Sequence, residues 1–395
     1  MKLIIKKGFF NNPLIAFVFI FPFYNVNGLD KAGIREGLIC IEALFLCLLF
    51  MLKKRKWKNF RITVWGIFFS LVLFLSTYIN GKEYLFFAVF YGVRLCTFFG
   101  ILEMYLSEKS LVVFKVMEKY TFLLLTTNLL FQIAKQDYWG YTISGNFKNF
   151  FVADNELPFY IIPYICILFF LKYSKEKYYS VYKLGLRIII LYLNLLWAWC
   201  ASGIIAVSIC IILLILTGKN KWNRIFQFKW IISGMAIVYY LLIFNGKIYH
   251  WLDSITVKIF NKSVSGSRTR VWKAALGNIT EKMFLGYGTV NGGRMSINYV
   301  GRAHWYSHNF VLELLIQGGL MLFFLYIIVL LMIGVNFGRD KNTLIKKQWL
   351  CVFIGLHLAF LTEGTITSPM QYLILLMAFH INEFEIEKRR KLENV

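Results

Sequence analysis

Arg268 and His308 are the side chains whose types and surroundings best suit chemistry. An arginine offers a fixed fork of donors to phosphate oxygens, and a neutral histidine can take a proton from a hydroxyl. Apolar residues Val271, Trp272, Ala275, Leu276 and Ile279 follow Arg268 at helical spacing. Arg268 therefore opens an amphipathic helix, where its guanidinium adds to the exposed N–H groups of a helix start. Trp272 lies four residues on, on the same face, and Arg270 is a second cation nearby. Gly286, Gly288, Gly292 and Gly293 come next, as plain turns or as a cradle for phosphate. His308 and Asn309 then open an apolar run, with Glu313 one turn later on the same side as Asn309, and His304 is a second candidate base. The bland alternatives are a surface helix whose arginines touch lipid headgroups and an interfacial histidine without a role.

Several chemistries are excluded as the main reading. The chain has no D-x-D, no H-E-x-x-H, no G-x-x-x-x-G-K-[ST] and no G-x-G-x-x-G. No metal site and no cofactor are expected. The seven cysteines fall in or beside apolar runs without a C-x-x-C pair, so neither a zinc site nor a disulfide framework is indicated. A net charge of +24 raises nucleic acid as a partner. It is set aside because most of the basic residues occupy short loops between apolar runs.

The elements that must position these residues are membrane helices. Hydrophobic residues make up 58% of the 395 and aromatics 18%, more apolar surface than a soluble protein can hide. The expected fold is an all-α integral membrane protein of about twelve transmembrane helices with one long extracytoplasmic loop. The runs lie near 8–27, 37–52, 60–79, 84–105, 113–134, 157–172, 184–200, 203–217, 229–245, 310–337, 348–363 and 369–386. The first follows Lys2, Lys6 and Lys7 and reads as an uncleaved span rather than a removed leader. Only Ala201 and Ser202 separate the seventh from the eighth, which implies a tight turn. Three parts follow: helices over 1–244, the loop 245–308 with its amphipathic helix, and helices with a tail over 309–395.

Basic clusters at 53–58, 172–183, 219–229, 339–347 and 388–391 all fall on one side, which the positive-inside rule makes cytoplasmic. Both termini are then cytoplasmic, and the segments 135–156 and 245–308 lie outside. The outer loop is itself basic, which suits an anionic ligand. Within the runs, Arg94 stands near the middle of the fourth, and a charge there needs a partner or a wet cavity. Glu103 is too far along the same helix, so Arg94 serves a function or pairs with a carboxylate such as Glu42. Glu363, at the outer end of the eleventh run, can also reach the external cavity, whereas His250, His357 and His380 read as structural.

These features together resemble the O-antigen polymerase and ligase family of bacterial membrane glycosyltransferases. The resemblance rests on Ser267-Arg268-Thr269-Arg270-Val271-Trp272, on Phe284-Leu285-Gly286-Tyr287-Gly288, and on His308-Asn309 with Gly318-Gly319 downstream. These motifs cover roughly 263–320. The chain departs from the family pattern at Met283, where proline is usual, and at Leu322, where a small or polar residue is often found.

The resemblance implies a polyprenyl-pyrophosphate-linked oligosaccharide as substrate, polymerised on the outer leaflet of the cell membrane without a metal and with inversion. It implies that Arg268, helped by Arg270 or Arg94, holds the pyrophosphate, and that His308, oriented by Asn309 and Glu313, deprotonates the acceptor. Trp272, Gly286, Gly288 and His304 are expected at the substrate, and the aromatics at 138–141 and 305–306 on its sugars. Expected partners are membrane lipid, a flippase and a chain-length regulator. The alternatives are a ligase that moves glycan to another acceptor and a flippase for lipid-linked oligosaccharide.

Overall fold

The computed structural model describes residues 8–24, 26, 33–53, 60–80, 84–108, 110–134, 149–173, 180–217, 226–261, 268–289, 307–338, 344–364 and 366–381. Among them the regular structure is helical, without a strand. In chain order the helices are α1 (Pro13–Ile20), α2 (Ile34–Lys53), α3 (Arg61–Asn80), α4 (Leu85–Ser107), α5 (Val112–Ile133), α6 (Pro158–Tyr173) and α7 (Val181–Trp197). They continue as α8 (Ala201–Leu216), α9 (Phe228–Phe244), α10 (Gly246–Phe260), α11 (Arg268–Glu281), α12 (Phe310–Gly338), α13 (Leu344–Phe360) and α14 (Leu373–Phe379).

Each of the twelve apolar runs overlaps a helix among the described residues. Among the described residues, four segments are long and apolar enough to cross a membrane: Arg61–Asn80, Leu85–Ser107, Asp154–Lys172 and Phe310–Gly338. Pro13–Phe23, Ala201–Leu216, Phe228–Phe244 and Pro369–Phe379 are shorter apolar helices. Large side chains such as Leu14, Phe86, Ile237, Tyr240 and Phe244 point outward, as they do where lipid replaces water.

Several expectations need correction. The first run is not one straight span: α1 gives way to a 3-10 turn, Phe21–Phe23, at Pro22, whose ring is incompatible with a helix interior. The tight turn lies at Ala198–Cys200, with Trp199 at φ 49°, and Ala201 and Ser202 already belong to α8. The stretch 245–308, expected as a loop with one amphipathic helix, holds a second helix as well. α10 begins one residue after α9, so the basic segment contributes two helices among its described residues.

α3 packs along α4 and α12, α13 against α6 and α8, and α5 against α1 and α7. A buried ion pair, Arg187 with Glu118, joins α7 to α5, and Arg187 also lies 4.4 Å from the Phe122 ring. At one end of the bundle Glu103 accepts from Ile62 N and Thr63 N, each at 3.0 Å, and meets His380 Nε2 at 3.0 Å. The opposite end carries the close of α3, the starts of α6, α11 and α12, and the end of α13. There the polar residues of interest collect.

Candidate active site

α12 is broken where it matters. Gly319 has φ 62° and ψ −159°, so Ile316 and Gln317 lose partners for their carbonyls and Leu320 and Met321 for their amides. Such a break is tolerated at membrane depth only if those groups are paired again. The segment after α11 pairs them. Tyr287 N donates to Ile316 O at 2.7 Å and Gly288 N to Gln317 O at 2.9 Å. Leu320 N donates to Met283 O at 2.8 Å and Met321 N to Phe284 O at 3.2 Å. α3 closes the junction: Ser76 Oγ donates to Gln317 O at 2.9 Å, Asn80 Nδ2 to Gly286 O at 2.9 Å, and Thr289 N to Thr77 Oγ1 at 2.8 Å.

This corrects the reading of the glycines. Gly286 N donates to Lys282 O and Gly288 N to Gln317 O, both at 2.9 Å, so neither amide is left for a phosphate. The glycines are required by geometry: both have positive φ, and a Cβ on Gly286 would stand 2.3 Å from Ile316 O. Gly292 and Gly293 lie outside the described residues.

The buried face of α11, from Val271 to Ile279, sits on the bundle against α12 rather than in lipid. Trp272 is 2% exposed, so it cannot stack on a sugar. Its Nε1 donates instead to Ser307 O at 2.9 Å, which ties α11 to the turn that carries His308. Glu313 takes Ser307 N at 3.0 Å and Ser307 Oγ at 2.8 Å. Asn309 caps α12, its Oδ1 accepting from Val311 N at 3.0 Å and Leu312 N at 3.1 Å. Its Nδ2 reaches Leu361 O at 3.1 Å, fastening the start of α12 to the end of α13. Asn309 and Glu313 thus fix the turn that carries His308 through its neighbours in the chain.

The turn holds His308 at φ 54°, a left-handed conformation that histidine adopts more readily than most residues. Two residues beyond Leu361 is Glu363, 2% exposed. Gly364 behind it leaves room for Phe310, whose Cβ would be 3.0 Å from any Cβ there. Glu363 Oε1 accepts from Arg268 at 2.8 Å, and its Oε2 lies 3.0 Å from His308 Nδ1. One carboxylate therefore joins the two residues of chief interest. Arg268 and His308 each keep 23% of the side chain exposed, beside a carboxylate at 3%.

The remaining expected site residues fall elsewhere. Arg270 is exposed, and two residues along a helix turn it some 200° from Arg268. His304 and the aromatics at 138–141 and 305–306 lie outside the described residues. Arg94 is buried in α4 and does not pair with Glu42; it donates to Phe23 O at 3.3 Å. Among the described residues no group of three His, Cys, Asp or Glu side chains could hold a metal ion. The hub carboxylate, Glu363, had a faint signal in sequence: an acid at the close of an apolar run. Its distance of 95 positions from Arg268 hid the contact.

Residues 164–327 match the family model described as O-antigen ligase, the family that the motifs resemble. The matched stretch runs from within α6 into α12 and contains Arg268, Trp272, Gly286, Gly288 and His308; Glu363 lies beyond it. The chain matches no curated protein and no solved structure.

Proposed function

We propose that this protein is a membrane glycosyltransferase that polymerises polyprenyl-pyrophosphate-linked oligosaccharide units on the outer leaflet. The observation that carries the reading is the bridge from Arg268 through Glu363 to His308. With Nδ1–H donating to Glu363, the lone pair of His308 sits on Nε2, and the carboxylate fixes the tautomer and the plane of the ring. His308 then takes the proton of the acceptor hydroxyl. The acceptor oxygen bonds to the anomeric carbon as the bond from that carbon to the phosphate oxygen breaks. The electron pair leaves with the polyprenyl pyrophosphate, and the configuration inverts.

Arg268 uses one terminal nitrogen for Glu363. A guanidinium has five N–H donors in a planar fork, so others remain to meet the pyrophosphate and offset its growing charge. Glu363 lies between two basic groups, and its charge stabilises the imidazolium formed when His308 is protonated. The pyrophosphate supplies the driving force, so neither nucleotide nor metal enters the scheme. The exposed apolar faces of the spans suit a long prenyl tail.

The family description favours one second reading, a ligase that moves finished glycan to a different acceptor by the same donor chemistry. A purified enzyme given the lipid-linked repeat unit alone separates them. A polymerase makes a ladder of lipid-linked oligomers; a ligase makes none until a second acceptor is added.

A further inference from the structure

The end of the bundle that holds Glu103 and His380, remote from Arg268 and His308, carries a cavity of its own. It lies where α6, α13 and the close of α14 meet, with about 30 Å³ of room between walls that include Cys166, Phe169, Val352 and Met377. A water-sized group needs about 10–15 Å³. The cavity therefore takes a few methylenes of a chain and excludes a sugar ring or a nucleobase. α6 ends at Tyr173 and α13 begins at Leu344, so Lys172 and Gln348 stand within about one turn of this end. Cys166 and Val352 lie a further turn or more inward. The mouth is polar and the floor apolar, the order of groups in a phospholipid from its ester to its chain.

Gln348 lines this cavity at 6% exposed, and among the described residues its side-chain amide has no hydrogen-bond partner. A buried amide in that condition is costly unless a ligand completes it. An ester carbonyl does so by accepting from Nε2. At the mouth, the half-buried Lys172 holds its ammonium 5.9 Å from the centre of the Phe169 ring, part of the cavity wall. Lys346 is spent elsewhere, donating to Asn336 O at 3.4 Å and Phe337 O at 3.3 Å at the close of α12. The segments 172–183 and 339–347, which flank the mouth in sequence, are basic, with Glu176 and Asp340 as their only acids. Basic groups beside a span draw anionic lipid headgroups.

We propose that this cavity binds one anionic glycerophospholipid, with the start of an acyl chain between α6 and α13, an ester carbonyl on Gln348 and the phosphate at Lys172. The site is independent of the glycosyl-transfer reading, since none of its residues lies at the Arg268–Glu363–His308 end. Its apolar floor takes the chain and its cation selects the charge of the headgroup.

The test uses the full-length protein in phosphatidylcholine nanodiscs with a rising share of phosphatidylglycerol, and native mass spectrometry of the released protein to count retained lipid. The native protein is expected to retain one phosphatidylglycerol and to prefer it to phosphatidylcholine by about fivefold or more. Gln348→Met is expected to weaken that retention about two- to tenfold and Lys172→Gln about fivefold. Val352→Phe, which fills the floor, is expected to abolish it. Lys258→Gln, on α10 and away from the cavity, is expected to leave it unchanged. Equal retention of the two lipids by the native protein overturns the site, as does unchanged retention in either Gln348→Met or Lys172→Gln. A loss in Lys258→Gln as large as in Lys172→Gln also overturns it, as general attraction between charges. If Val352→Phe does not fold, Gln348→Met and Lys172→Gln decide.

Discussion

His308 Nδ1 and Glu363 Oε2 stand 3.0 Å apart although 55 residues separate them. The contact requires that the start of α12 and the end of α13 be locked together, and the hydrogen bond from Asn309 Nδ2 to Leu361 O does this. A carboxylate on one imidazole nitrogen fixes the tautomer and the ring plane. Replacing Glu363 by glutamine keeps the shape but not the charge. Turnover is expected to fall by about 10–100-fold, the usual cost of removing a group that orients a histidine. Glycan output from membranes with equal amounts of each protein checks it, and full output from Glu363→Gln would remove Glu363 from the mechanism.

Trp272 is expected to matter through packing and through one hydrogen bond. Trp272→Phe loses the bond to Ser307 O and should cost about 1 kcal/mol. Trp272→Ala also empties a buried site and should cost about 3–5 kcal/mol. Thermal unfolding in detergent ranks the two. Equal stability of both variants with the native protein would mean that α11 is not docked.

The glycines at the broken helix give a controlled comparison. A Cβ on Gly319 would lie 2.3 Å from the Phe284 backbone at a φ of 62°, whereas Gly338 has nothing within 4 Å. Gly319→Ala is expected to lower the yield of folded, active protein sharply, and Gly338→Ala to leave it unchanged. Size-exclusion profiles of the two variants, purified in parallel, provide the measurement.

Much of this was legible in the sequence because periodicity and composition act locally. The apolar runs gave helices, and Val271, Trp272, Ala275, Leu276 and Ile279 gave the buried stripe of α11. Arg268 and His308 carried their own signal through residue type. The partner of both did not, since nothing local to Glu363 reports which residues lie across the bundle. The glycines misled for a related reason. Positive φ and a close approach to a broken helix demand glycine as firmly as a phosphate does, and Gly286 and Gly288 meet Ile316 and Thr77, not a ligand. Trp272 misled likewise: an aromatic beside an arginine suits a sugar platform and a docked helix equally well.

The orientation of the site end is open to direct labelling. Lys258 on α10 is exposed. In a protein with its seven cysteines replaced, Lys258→Cys should react with an impermeant maleimide in intact cells. Reaction only after permeabilisation would put this end in the cytoplasm and exclude outer-leaflet chemistry.

The most direct test is turnover of lipid-linked repeat units by purified Arg268→Ala, Arg268→Lys and His308→Ala proteins that remain folded. Loss of a general base typically costs about 10²–10⁴-fold, and loss of an electrostatic clamp about 10²–10³-fold. Both alanine variants are therefore expected to leave single repeat units unpolymerised. Arg268→Lys should recover part of the activity, because lysine keeps the charge and loses the two-pronged contact. Full-length glycan from either alanine variant, at normal levels in the membrane, would contradict the catalytic assignment and return α11 to a purely structural role.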